Sequence, residues 1–273
     1  MGGVAFVFPG QGAQQPGMGL ALYEGSFGAR ELMDRAEKRM PGLLDACFHG
    51  PMERLTRTDI AQPALFMLES ALAQAAAQAG IRPLAAAGFS LGEWTACHAA
   101  GMLSFDQGFA LVRQRGEWMQ ARARESPGGM AAVLRLNADQ LSESLQGHPE
   151  IHAVNFNAPG QTVVAGPLSA LEEYEKALRA RGGRSIRLKV AGAFHSPMME
   201  AVSERMLAAL AKERILPPAF PVYSNLRPCP IRRIRPGTGW PRSCQGLSCG
   251  KRASGAWPGR ASIPFWNWGR GKF

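Results

Sequence analysis

Gly88-Phe89-Ser90-Leu91-Gly92 is the stretch on which the reading of this chain turns. It separates a short, alanine-rich apolar run at 83–89 from a segment at 93–102 whose small and apolar residues recur at helical spacing. A strand, a sharp turn with a serine at its apex and then a helix make up a nucleophile elbow. Glycines at 88 and 92 remove the side chains that would collide where strand and helix meet. The serine oxygen would stand exposed, and the helix N-terminus would offer N–H groups to a developing oxyanion.

Working outward, residues 4–8 predict a buried strand that runs into a turn-rich segment at 9–14. Helices are expected over 26–40 and 62–80, the second closed by Gly80, and again over 105–124, with Phe109, Val112 and Met119 at core spacing. From 130 the pattern changes. Strands at 130–136, 151–157, 161–165 and 185–190 alternate with helices at 138–146 and 168–181 in the order β-α-β-β-α-β, the split βαβ or ferredoxin-like unit. A long helix at 197–214 and a strand at 221–224 then resume the first pattern. The fold class is therefore α/β, with a parallel-sheet part interrupted by an inserted ferredoxin-like part. The expected boundaries are 1–124 with 192–225 for the first, 125–191 for the second, and 226–273 for a tail.

That tail differs in kind from the rest. Of the 31 Lys and Arg and 21 Asp and Glu, it holds ten of the bases and none of the acids, so the net charge of +10 lies wholly within it. It also holds Cys229, Cys244, Cys249 and four of the six tryptophans, with no hydrophobic period. Two origins fit: a basic aromatic arm for nucleic acid, or a shifted reading frame in a GC-rich gene. The lack of period, of acids and of any order among the cysteines favours the second, so nucleic acid is not an expected partner and the tail is expected to be disordered. The remaining length is ample for a full core. No apolar run reaches the ~18 residues of a membrane span, and residues 1–12 lack the basic start of a secretory leader. Five cysteines in no metal-like spacing point to a reducing, cytoplasmic setting and to no metal site.

Four separated pieces share one family pattern: Phe8-Pro9-Gly10-Gln11-Gly12-Ala13-Gln14, Gly88-Phe89-Ser90-Leu91-Gly92-Glu93, Arg115-Gly116-Glu117-Trp118-Met119-Gln120 and Gly192-Ala193-Phe194-His195-Ser196-Pro197-Met198-Met199. Asn155-x-Asn157-x-Pro159-x-Gln161 is a fifth. In order and spacing, over residues 4 to about 225, they resemble the malonyl-CoA:acyl carrier protein transacylases. The resemblance implies an α/β-hydrolase-like large subdomain with a ferredoxin-like insert. It further implies transfer of a malonyl group from malonyl-CoA to the phosphopantetheine thiol of acyl carrier protein, by a monomer without a cofactor.

The resemblance also assigns roles. Ser90 is the nucleophile that holds the acyl group between two thiols, and His195 is its base and then the acid for the departing thiol. Arg115, directly before Gly-x-x-Met, grips the free carboxylate of malonyl with its guanidinium fork. Gln11 and the backbone N–H of Leu91 form the oxyanion hole. Phe194 matches malonyl-selective members, and Asn157 belongs to the substrate site. His98, Cys47 and Cys97 are expected to pack rather than react. Two departures stand out. Phe89 replaces a usual histidine, and beyond Asn225 the family's Gln-Leu-x-x-Pro-Val segment is absent; Gln245 lies near its place without matching neighbours. A serine hydrolase or thioesterase, or an inactive remnant lacking its last elements, is the alternative.

Overall fold

The computed structural model describes residues 3–225 and the backbone of 230–231. The 226–273 tail, and with it the expectation of disorder, otherwise lies outside the described residues. The described chain divides into two compact units, 3–120 with 202–225 and 121–201. The sequence placed the corresponding seams at 124/125 and 191/192.

In chain order the elements are β1 Val4–Phe8, α1 Leu20–Gly25, α2 Phe27–Arg39, α3 Leu43–His49, α4 Met52–Leu55, α5 Thr58–Gln78, β2 Pro83–Gly88, α6 Gly92–Ala99 and α7 Phe105–Glu125. There follow β3 Gly128–Leu134, α8 Ala138–Leu145, β4 His152–Ala158, β5 Gln161–Pro167, α9 Leu168–Ala180 and β6 Arg184–Arg187. A 3-10 turn at Pro197–Met199, α10 Glu200–Leu210, β7 Val222–Tyr223 and β8 Pro230–Ile231 complete the series.

The first unit is built on a sheet of order β1-β2-β7-β8, in which β2 pairs in parallel with β1 and β7, and β8 runs antiparallel to β7. Its core gathers Phe8, Ala86, Leu91, Trp94, Phe66, Phe109 and Val222. Helix α5 is buried continuously from Ala61 to Met67, a run of apolar residues that also encloses the polar Gln62. Ser26 caps α2 by accepting from the Ala29 N–H at 3.3 Å. Gly80, at φ 82°, ends the turn after α5, where only glycine is unstrained.

The second unit holds an antiparallel sheet of order β4-β5-β3-β6, the strand order of the ferredoxin-like fold read from the sequence. Val133, Val164, Leu141, Leu171 and Tyr174 form its core. Asn137 and Gln140 form a capping box that starts α8.

The differences from expectation concern element ends. α5 begins at Thr58 rather than at 62, so that Pro63 lies inside it. The helix expected over 197–214 is a 3-10 turn followed by α10, which stops at Leu210. Lys212 and Glu213 then bond i→i−3 carbonyls, and the chain leaves to pair Leu216 N–H with Met102 O and Ala219 N–H with Ala100 O. Tertiary pairing takes over from helical propensity there. The short helices α1, α3 and α4 had no period long enough to read.

Candidate active site

The turn from β2 to α6 leaves no room for side chains at its ends. A Cβ on Gly88 would lie 2.0 Å from the Gly92 carbonyl carbon, and one on Gly92 would lie 2.3 Å from Phe8 O. Both glycines are thus demanded by backbone contact, as the sequence implied. Between them Ser90 takes a left-handed backbone, φ 51°, which a residue with a Cβ adopts only under compulsion. The turn is tied down by Phe89 N–H to Phe8 O and Gly92 N–H to Phe89 O, each 2.9 Å. Leu91 is fully buried and directly precedes α6, where unpaired N–H groups and the helix dipole favour negative charge.

Arg115, on α7, is only 1% exposed. Its Nη1 donates to Gln62 Oε1 at 2.6 Å and its Nη2 to Ser90 Oγ at 3.2 Å. Gln62 is itself buried on α5 and turns its amide nitrogen toward Met119 Sδ at 3.2 Å, which fixes which end of the amide faces the guanidinium. The adjacent Gly116 explains the approach: a Cβ there would come within 2.8 Å of Thr58 O. The structure therefore brings together Ser90 and Arg115, both candidates from the sequence, and adds Gln62, which was not one. A guanidinium sealed beside a hydroxyl can hold an anionic acyl group with two parallel hydrogen bonds. Because Arg115 donates to Oγ, the serine's own proton remains for a base.

Gln11 lies in the loop after β1, and its Nε2 donates to the buried Thr58 Oγ1 at 3.3 Å. Thr58 N–H in turn donates to Gln120 Oε1 at 2.9 Å, so the loop, the start of α5 and α7 are linked. Gly10 sits against the elbow, since a Cβ on it would meet Phe89 O at 2.6 Å.

His195, Phe194 and Asn157 belong to the second unit. His195 also has a left-handed backbone, φ 64°. Ser196 shapes its loop by donating to Ala193 O at 2.7 Å and accepting from Met198 N–H at 3.3 Å. Arg122 Nε donates to Met198 O at 2.9 Å. Phe194 is buried and His195 half-buried. Asn157 falls where the β4–β5 register shifts, between Phe156 and Ala158, a place where bulges re-aim side chains.

The remaining candidates pack. His98 lies between Phe66 and Phe105, its Nδ1 3.0 Å from Leu103 O, and burial lowers its pKa. Cys47 and Cys97 are free and buried, and burial pushes the Cys47 thiol up to about 12. Among the described residues no group of three or more His, Cys, Asp or Glu could hold a metal. Residues missed from sequence are Gln62 and Asn225. In sequence, Gln62 is one polar residue at the start of an expected helix, and Asn225 marks only the point beyond which the family pattern is absent.

A parallel-sheet elbow with a strained serine and a buried arginine against its hydroxyl defines an α/β acyl-transfer protein of the serine-nucleophile class. The comparisons agree. The family model described as acyl transferase domain matches residues 5–228. The chain is 38% identical over 232 residues to the malonyl CoA-acyl carrier protein transacylase of Bacillus subtilis, covering 83% of this chain and 73% of that protein. It is 37% identical over 229 residues to the enzyme of that name from Synechocystis, covering 84% and 76%. Among solved structures, a malonyl-transacylase in complex with its type II polyketide acyl-carrier protein superposes with a TM-score of 0.82 at 29% identity, over 90% of this chain and 81% of that one. The chain belongs to the acyl transferase domain family.

Proposed function

We propose that this chain transfers a malonyl group from malonyl-CoA to the phosphopantetheine thiol of acyl carrier protein, in fatty acid or polyketide synthesis. In the first half-reaction Ser90 Oγ attacks the thioester carbonyl while His195 takes its proton. The C–S bond breaks, the proton passes to the sulfur, and CoA leaves as its thiol. In the second, the carrier thiol attacks the Ser90 ester, His195 relays its proton to Oγ, and the serine is restored. Leu91 N–H and the Gln11 amide stabilise the tetrahedral oxyanions of both steps. By the same reading Asn157 and Phe194 are substrate-binding residues. No cofactor or metal takes part.

The observation that carries this reading is the Arg115 contact. A buried cation held by Gln62, with Nη2 3.2 Å from Ser90 Oγ, suits an acyl group that ends in a carboxylate. An ordinary esterase acyl pocket has no use for it. We assign the chain to the cytoplasm as a monomer. Among the described residues no helix is long and apolar enough to cross a membrane, and both described cysteines are free thiols.

The test supplies labelled malonyl-CoA with and without carrier protein. The expected result is a malonyl ester on Ser90 that persists without carrier and moves to the carrier thiol when it is added. Steady release of malonate without carrier would identify a hydrolase, and an absence of label on Ser90 would identify an inactive relative.

A further inference from the structure

The nucleophile elbow is closed by a side chain from outside it. β2 pairs in parallel with β7 through Ala86 with Val222 and Ala87 with Tyr223, and the pairing then stops. Past it, the Asn225 amide continues the ladder. Its Oδ1 accepts from Ser90 N–H at 2.9 Å and its Nδ2 donates to Gly88 O. In a parallel pair, one residue bonds the two that flank its opposite number. Asn225 does this with a side chain, bonding the residues on either side of Phe89. Backbone could not follow, because Ser90 turns left-handed and carries the chain out of the sheet. The Asn225 backbone is itself anchored, its N–H donating to Oε1 of Glu93, which is fully buried in the first turn of α6.

We infer that Asn225 is a positioning residue for acyl transfer, an amide clamp that holds the elbow and so the direction in which Ser90 Oγ points. It rests on the reading of Ser90 as the nucleophile. Strained backbone persists only where its surroundings over-determine it. The two glycine contacts fix the ends of the turn, and the Asn225 amide fixes its middle. An amide suits the place because it presents one donor and one acceptor side by side. A carboxylate supplies only acceptors, and an aliphatic chain neither.

The experiment uses the full chain and the variants Asn225→Leu and Asn225→Asp. Amide hydrogen exchange is followed at Ser90, and the rate at which Ser90 reacts with a fluorophosphonate is measured from pH 4 to 8. In Asn225→Leu the Ser90 amide is expected to exchange about tenfold faster, and the probe to react about tenfold more slowly, with α5 and β3 amides unchanged. Asn225→Asp keeps the acceptor for Ser90 N–H but must be protonated to donate to Gly88 O. Its probe reaction relative to the parent should therefore recover as pH falls through the aspartate range, a dependence a merely structural role would not give. Unchanged Ser90 exchange in Asn225→Leu, or an Asn225→Asp profile parallel to the parent's, overturns the clamp. If Ser90 deprotects in Asn225→Leu while the parent never forms a malonyl ester, the clamp stands and the nucleophile reading falls. If the parent loads malonyl and Asn225→Leu loads it equally fast, the reverse holds.

Discussion

The two units hold their sheets in different ways. In the antiparallel unit, β3 pairs with β5 over seven successive residues without a shift, and all but the last residue of β3 are buried. In the parallel unit, β1 and β2 are short, their register slips after Val4, and Val7 and Leu84 are 64% and 69% exposed. Parallel strands in α/β proteins are ordinarily covered on both faces. Among the described residues of β1 and β2 only Phe8, Ala86 and Gly88 are buried. Yet this less regular unit carries the elbow. Three non-glycine residues among those described have positive φ, and two of them are Ser90 and His195. Ser90 is flanked by the close backbone contacts at Gly88 and Gly92 and is held by Arg115 and Asn225, both distant in sequence. The loop that carries His195 is shaped by the Ser196 hydroxyl on Ala193 O and by Arg122 Nε on Met198 O. At Ser90, side chains far off in sequence add to the close glycine contacts around a left-handed backbone.

The sharpest way to break that comparison is Gly88→Ala. A methyl 2.0 Å from the Gly92 backbone cannot be accommodated by a rotamer change, so destabilisation of about 3 kcal/mol or more is expected. Peptide-resolved hydrogen exchange should show the loss in β1, β2 and α6, with the β3–β5 ladder still protected. Equal loss in both units would mean that they unfold as one. Next in size, Arg115→Ala should slow malonyl loading about a hundredfold, through loss of charged hydrogen bonds to the acyl carboxylate. It should slow acetyl loading far less. A similar drop for both acyl groups would remove Arg115 from acyl selection. Gln62→Leu leaves the cation in place but frees its fork, and should raise KM for malonyl-CoA about tenfold with a smaller change in kcat.

Glu69 offers a pH test of the same unit. It is buried on α5, accepts from Thr95 Oγ1 on α6 at 2.5 Å, and burial raises its pKa from 4.5 to about 8. The folded state therefore keeps a proton that the unfolded chain releases near 4.5. The stabilisation is complete below that pH and is lost as pH rises toward 8. The melting temperature should fall by several degrees over this range, and Glu69→Gln should flatten the slope. An unchanged slope would mean that Glu69 does not titrate there. The smallest effect is expected from Gly147→Ala, in the antiparallel unit. Nothing lies within 4 Å of the added methyl, so only the left-handed backbone at φ 83° is penalised, by about 1 kcal/mol. An effect as large as that of Gly88→Ala would erase the distinction between conformational strain and steric exclusion.

Much of the fold was legible because its signals are local. Alternation and helical period marked β3 to β6 and their β-α-β-β-α-β order, and Gly80 marked the end of α5. What stayed hidden depended on contacts between distant segments. The start of α5 at Thr58 is set by Gln120 and Gln11 reaching it from other elements. α10 ends early because the chain beyond it pairs with Met102 and Ala100. In the site, Gln62 and Asn225 are polar residues of no special pattern, and their roles exist only where Arg115 and Ser90 are brought to them.

The sequence by itself determined the elbow and the reason for its two glycines, since a close approach of backbones can be met only by residues without a Cβ. It also determined the family, the α/β class and the candidate nucleophile, base and carboxylate-binding arginine. The tertiary structure alone decided that Arg115 is sealed against Ser90 by Gln62, and that the Asn225 amide takes over where β7 stops pairing. Those interactions depend on distances between α5, α7, β2 and β7. Such distances follow from how the elements pack, not from the order of residues within any one of them.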